Sequence, residues 1–264
     1  MPAMERYLVV RLEGPLAAFG DTMVDAIGPV RDTPSTAMLT GLFANALGLR
    51  REDGGPLARL QDRLVFAARL DRRADRFVEF QTAALAKNDQ GWTRFGRPEG
   101  RTGGADTYRA PHIRRRQHDA DVSAVVAVRL DPAGEAPDLD RLAAALDEPF
   151  RPLFLGRKPC LPAERLFAGF VTAPDLFAAL LQIPLAKARK GAAGYDRAGE
   201  REAGVRVVLP ADAPRPAGIA FAPLHVCDRR DWSLGVHVGE AVLHTATLPR
   251  GAFPAPTEDG GRTP

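Results

Sequence analysis

The order in which apolar segments change their period along the first two-thirds of this chain restricts its fold more than any other feature. Residues 7–12 (YLVVRL) read as a buried strand. A helix is predicted over 34–47. Thr33 suits its N-cap, Pro34 its first position and Gly48 its C-terminal glycine, while Met38, Leu39, Leu42, Phe43, Ala46 and Leu47 recur at helical spacing. A short helical segment around 57–60 follows, then strands at 64–70 (LVFAARL) and 122–130 (VSAVVAVRL). A second helix over 138–146 turns Leu139, Leu142, Ala143 and Leu146 inward, Pro149 ends it, and 165–171 (RLFAGFV) supplies a fourth strand. Strand, helix, strand, strand, helix, strand is the α+β, ferredoxin-like (RRM-like) βαββαβ arrangement, here predicted for residues 1–171.

Two departures from a minimal version of that arrangement stand out. Between the second and third strands lies an insertion, about 73–121, far longer than a hairpin loop. After a helix at 175–182 and a polar stretch to about 204, strands at 205–209, 219–226 and 234–238 predict a smaller β-rich part over 172–250. Residues 251–264, dominated by Pro, Gly and Thr, read as a disordered tail.

Composition excludes several classes of function. Cys160 and Cys227 stand far apart with no CxxC pair, which argues against a disulfide framework and an all-cysteine zinc site. No apolar run approaches the roughly 20 residues a bilayer requires, and a soluble, cytoplasmic protein is expected. The net charge of +3 is modest, but of 36 basic residues only Lys87, Lys158, Lys187 and Lys190 are lysine. Arginine is the better fork for phosphate and stacks on bases; a GC-rich genome produces the same bias, so the placement of the arginines carries the weight.

That placement is uneven. Between 87 and 118 eight basic residues, among them Arg97, Arg109, Arg114, Arg115 and Arg116, face three acidic ones, with Trp92, Phe95 and Tyr108 interleaved. Cations tracking phosphates and rings facing unstacked bases are what a single-stranded nucleic-acid site needs; a solvated loop is the plainer alternative. A second candidate is the corner Gly156-Arg157-Lys158, where glycine admits a close approach and two cations can hold a phosphate. It lacks the spacing of a nucleotide-triphosphate loop and can equally be a plain turn. Catalytic constellations are thin. His112 and His118 flank the arginine run and could serve acid–base cleavage of RNA, or be surface histidines beside phosphates. His225, His237 and His244 with Cys227 match no ligand spacing, so neither metal nor cofactor is expected.

The stretches YLVVRLEGPLAAFG, TPSTAMLTGLFANALGLRRED and LFLGRKPCLPAERLFAG, in this order over about 7–169, resemble the CasD family. That family is the 5′-handle-binding subunit of type I-E CRISPR surveillance complexes (Cascade), within the repeat-associated RNA-binding superfamily. The resemblance implies a ferredoxin-like fold, a glycine-rich loop at Leu155-Gly156-Arg157-Lys158, and a thumb formed by the insertion. It implies a non-catalytic role in antiviral defence: capping the 5′ handle of the CRISPR RNA and contacting the backbone and large subunits, with target DNA met only through the assembled complex. The residues expected on RNA are Trp92, Arg97, Tyr108, Arg109, Arg114, Arg115, Arg116, Arg157 and Lys158, with Gln81 and Thr82 as candidates for 2′-hydroxyl contacts. Departures are visible. Arg116 stands where the family has tyrosine, Phe19 where tryptophan is common, Pro159 where serine is usual, and Thr36-Ala37 follow Pro34-Ser35 in place of a basic residue and serine. The alternative is a metal-independent endoribonuclease like that of the related type I-C branch, with a trio such as Tyr108, His112 and Lys158.

Overall fold

A computed structural model describes residues 3–23, 25–84, 86, 89–92, 97–100, 111–187 and 204–256. In chain order the elements are β1 (Glu5–Ala17), β2 (Ile27–Gly28), α1 (Thr36–Leu47), α2 (Gly54–Arg63), β3 (Leu64–Arg72), β4 (Asp75–Ala83), β5 (Gly91–Trp92), β6 (Pro98–Glu99) and β7 (His112–Leu130). After them come α3 (Leu139–Asp147), β8 (Phe167–Ala173), α4 (Leu176–Gln182), β9 (Val205–Pro210), β10 (Ala222–Val226), β11 (Arg229–Asp231), β12 (Val236–Val238) and β13 (Ala241–Leu248), closed by a 3-10 turn at Arg250–Ala252. The fold is mixed α/β: a large, mainly antiparallel sheet with few helices.

The sheet runs β10-β13-β9-β3-β7-β1-β8, with β2 and β4 added along β7. Its centre is apolar because β7 from Val122 to Val128 is buried without a break, flanked by β1 (Leu8↔Val128 to Gly14↔Val122) and β3 (Leu64↔Leu130 to Leu70↔Ala124). Successive residues of β1 serve opposite faces. Leu8, Val10 and Leu12 pack with Leu39, Phe43, Leu57, Leu60 and Leu142 beneath α1, α2 and α3. Tyr7 and Val9 pack on the other face with Leu176, Leu180, Val207 and Phe253. The C-terminal strands therefore extend the same sheet through β9, which pairs with β3 (Ala68↔Val208).

Local chemistry explains where the predicted boundaries moved. Ser35, not Thr33, caps α1, its Oγ accepting the Met38 N–H at 3.1 Å, so Pro34 lies ahead of the cap. Gly48 ends the helix in the left-handed region (φ 85°), as the sequence predicted. The largest shift is in β7, which starts at His112 instead of 122 and spans 19 residues, about 60 Å of extended chain. β4 pairs along its first half from Asp75↔Ala120 to Ala83↔His112, so much of the insertion is a two-stranded ribbon. In the C-terminal part β11 and β12 form a small hairpin, and β13, absent from the sequence reading, joins β9 to β10. Beyond Arg250 the 3-10 turn leads to a buried Phe253; residues 257–264 lie outside the described ones. No helix among the described residues is long and apolar enough to cross a membrane.

Candidate nucleic-acid interface

Strand alternation sorts the basic run of β7. Arg114, Arg116 and His118 share one face of the ribbon with their cross-strand neighbours Gln81, Glu79 and Phe77. Arg115, Gln117 and Asp119 share the other with Phe80, Val78 and Arg76. Arg115 is exposed, Arg114 and Arg116 are half-buried, and the Arg114 guanidinium donates to the Ile113 carbonyl at 2.8 Å. His118 is buried and stacks on the Phe77 ring, centroids 5.6 Å apart at 20°. Burial, and after it the Arg157 charge, holds His118 below its ordinary pKa, so the imidazole is neutral at pH 7.

The Gly156-Arg157-Lys158 corner docks onto this ribbon. Arg157 Nη1 donates to the Gln117 carbonyl at 2.6 Å and Nη2 to the Gly28 carbonyl at 3.1 Å. The corner itself presses against the end of β1: the Ala18 N–H donates to the Leu155 carbonyl at 2.9 Å. A Cβ on Gly156 (φ 95°) would stand 1.8 Å from the Ala18 carbonyl oxygen, so only glycine fits. Burial and then the neighbouring Arg116 lower the pKa of Arg157. Two guanidiniums crowded at a half-buried site are relieved by an anion placed between them. Lys158 is exposed and has no ion-pair partner among the described residues.

The ribbon's base is held by ion pairs. Arg76 forks onto Asp119, at 2.7 and 3.0 Å, while Arg73, Arg76 and Arg206 converge on Asp32. Arg72 bridges Glu13 (2.8 Å) and Asp121 (3.1 Å). These arginines spend their charge on carboxylates; among the described residues Arg114, Arg115 and Arg116 show no such ion pair.

Of the residues singled out in the sequence, Arg116, Arg157 and Lys158 come together around the junction of β7, β2 and the glycine corner, with Arg114 farther along the same face of the ribbon and Arg115 on the opposite one. Arg97 precedes β6 and is exposed; Trp92 belongs by its backbone to β5, which pairs with β6. Tyr108 and Arg109 lie outside the described residues. Among the described residues no group of three His, Cys, Asp or Glu gathers as a metal site.

Sequence reasoning missed a neighbouring feature. A cavity of about 960 Å³ opens between α1, the Gly156–Lys158 corner and the β11–β12 hairpin, and Arg50, Arg51, Arg230 and Trp232 line it. The stretch Arg229-Arg230-Asp231-Trp232 has the same basic-plus-aromatic texture that marked the insertion, but nothing local says that it folds back onto α1. It does so because the buried Asp228 carboxylate accepts from the Thr36 N–H (3.1 Å), the Thr36 hydroxyl and Arg31 (2.6 Å).

Comparison with known proteins bears on the family and the fold. Residues 7–240 match the family model described as CRISPR-associated protein (Cas_Cas5). The chain is 29% identical over 185 residues to the CRISPR system Cascade subunit CasD of Escherichia coli (strain K12), covering 67% of this chain and 77% of that protein. A solved CRISPR RNA-guided surveillance complex contains a chain of similar fold, with TM-score 0.61, 25% identity, and 96% of this chain and 95% of that one covered. A crystal structure of a Cas protein matches at TM-score 0.56 and 24% identity over 95% and 98% of the two chains.

Proposed function

Because the chain belongs to the Cas5 family of CRISPR-associated proteins, we propose that it is a non-catalytic, cytoplasmic subunit of a Cascade-type surveillance complex that caps the 5′ handle of the CRISPR RNA. The observation that carries this reading is the clamp of Arg157 onto the Gln117 and Gly28 carbonyls, which holds the glycine corner against the strand that carries Arg114 and Arg116. Phosphates of a single strand fit the exposed face of that junction, while Arg157 sets its geometry. The neighbouring backbone and large subunits are the protein partners in this reading, and target DNA is met only in the assembly. The sheet order β8-β1-β7-β3, fourth-first-third-second among the sequence-predicted strands, supports a ferredoxin-like unit with the β4–β7 ribbon as its thumb.

The test is the salt dependence of handle-RNA binding. Each phosphate neutralised on a single strand contributes about 0.7 to the slope of log K against log salt. Arg114→Ala and Arg116→Ala are each expected to lower the slope by about that amount and to weaken binding. Slopes unchanged by both substitutions overturn the site.

A further inference from the structure

Deepening the reading just given, and resting on it, we infer that the cavity between α1 and the β11–β12 hairpin receives one unstacked nucleotide of the bound RNA strand, its base against Trp232 and its phosphate among Lys158, Arg50 and Arg230. About 960 Å³ lies at the upper end of small-molecule pockets. Its lining carries six cations against the single acid Glu52. Two of the six are committed elsewhere: Arg151 donates to the Gly48 and Leu49 carbonyls, and Arg157 to the ribbon. Lys158 and Arg50 are exposed and have no ion-pair partner among the described residues. Arg230 is only partly used, one amino group donating to Gly235 at 2.7 Å. A concave site with surplus positive charge concentrates anions.

Trp232 adds a preference for a ring. Its indole lies over Gly41, where a Cβ would be 3.9 Å from the ring edge, and the Arg230 guanidinium sits 5.5 Å from the ring centre. The hairpin also has two buried polar atoms with no hydrogen-bond partner among the described residues, Trp232 Nε1 and His237 Nδ1. Native interiors seldom leave such atoms unpaired, and a modest shift of the hairpin around an arriving nucleotide supplies partners. The source is the RNA strand and not a free nucleotide because Arg157 and Lys158 line the cavity while Arg157 is bonded to β7, so a strand following the ribbon runs to the cavity mouth.

The experiment uses the full chain with Trp92→Phe, which leaves Trp232 as its one indole, titrated with a single-stranded RNA carrying the repeat's 5′-handle sequence. Saturable quenching of Trp232 emission is expected, and Trp232→Leu should weaken RNA binding about 5- to 160-fold, the range of base–aromatic stacking. RNA binding that depends on Arg114 but neither quenches Trp232 nor responds to Trp232→Leu overturns the inference and leaves the parent reading intact. Absence of RNA binding at any salt by the unsubstituted chain, with both indoles in place, overturns the parent reading instead. Quenching by adenosine monophosphate that handle RNA does not compete away assigns the cavity to a free nucleotide and overturns the strand source. If Trp232→Leu fails to fold, the quenching titration decides alone.

Discussion

Arg69 offers the sharpest test of how the C-terminal part is fastened to the sheet. Its side chain is completely buried on β3, Nε donating to Asp71 Oδ1 at 2.5 Å and Nη2 to Oδ2 at 3.0 Å. The remaining donors reach the carbonyls of Leu180 (2.9 Å), Ile183 (2.8 Å) and Pro184 (3.0 Å), the chain leaving α4, and Phe253 lies 4.5 Å from the guanidinium. Arg69→Met keeps the volume and removes the cation. It strands Asp71, whose nearest other donors are the Ala186 N–H at 2.9 Å and Arg11 at 3.8 Å, and it takes the donor from the Ile183 carbonyl, whereas Leu180 keeps the Ile183 N–H (3.3 Å) and Pro184 keeps Arg11 (3.2 Å). Breaking a buried pair from one side costs about 3–5 kcal/mol. At about 2–4 °C per kcal/mol for a chain of this size, the melting temperature should fall by about 6–20 °C. Thermal unfolding followed by circular dichroism measures that fall, and urea unfolding measures the free-energy loss. Arg69→Met/Asp71→Leu should be less destabilised than Arg69→Met, since the stranded charge is gone. Handle-RNA affinity per folded molecule should not change. A loss below about 1 kcal/mol at unchanged m-value refutes the reasoning, because it means that the pair contributes little beyond what an apolar side chain supplies.

Gly156→Ala should displace the corner from Ala18, lowering both stability and handle-RNA affinity in fluorescence anisotropy, whereas Gly55→Ala, with nothing near its Cβ position, should leave affinity unchanged. His118 and His237 both have lowered pKa values, burial first among the causes. The unfolded chain, with histidines near 6.5, therefore binds more protons. Their contribution to stability is present above about pH 6.5 and lost as pH falls from there through the depressed folded values. Melting curves between pH 7.5 and 5 should show this, with a shallower fall in His118→Phe. Repeat RNA incubated with the protein in chelator should stay intact on a denaturing gel, for wild type and His118→Ala alike; a discrete cut abolished by that substitution would assign an endoribonuclease.

The parts legible in the sequence are those whose partners are close along the chain or whose burial is two-sided. Gly48 could be read as a helix end because the left-handed turn is a property of one residue, and 122–130 as a strand because it is apolar on both faces. The stretch 112–121 could not be read as a strand, since Arg114–Arg116, Gln117 and His118 put polar groups on both faces. Its extended form comes from pairing with β4 and β2, up to 88 residues away at Ile27↔Arg115 on one side and Phe80↔Arg115 on the other. Arg157 was visible as a cation near a glycine, but its clamp on Gln117 bridges 40 residues. The cavity depends on Asp228 meeting Thr36 across 192 residues, which no local pattern announces.

The continuity of β7 ties two jobs together through parity. Whether Arg114 and Arg116, or Arg115, face the glycine corner is decided by the same odd–even count that sends Val126 and Val128 to one side of the core and Val125 and Ala127 to the other. The packed half thus works as an index for the basic half. One residue inserted near 121 would leave the core intact and turn the guanidiniums over to the opposite face; two would restore the face and move the charges outward by about 7 Å. Length along this strand is therefore constrained in steps of two, even where the side chains themselves are exposed.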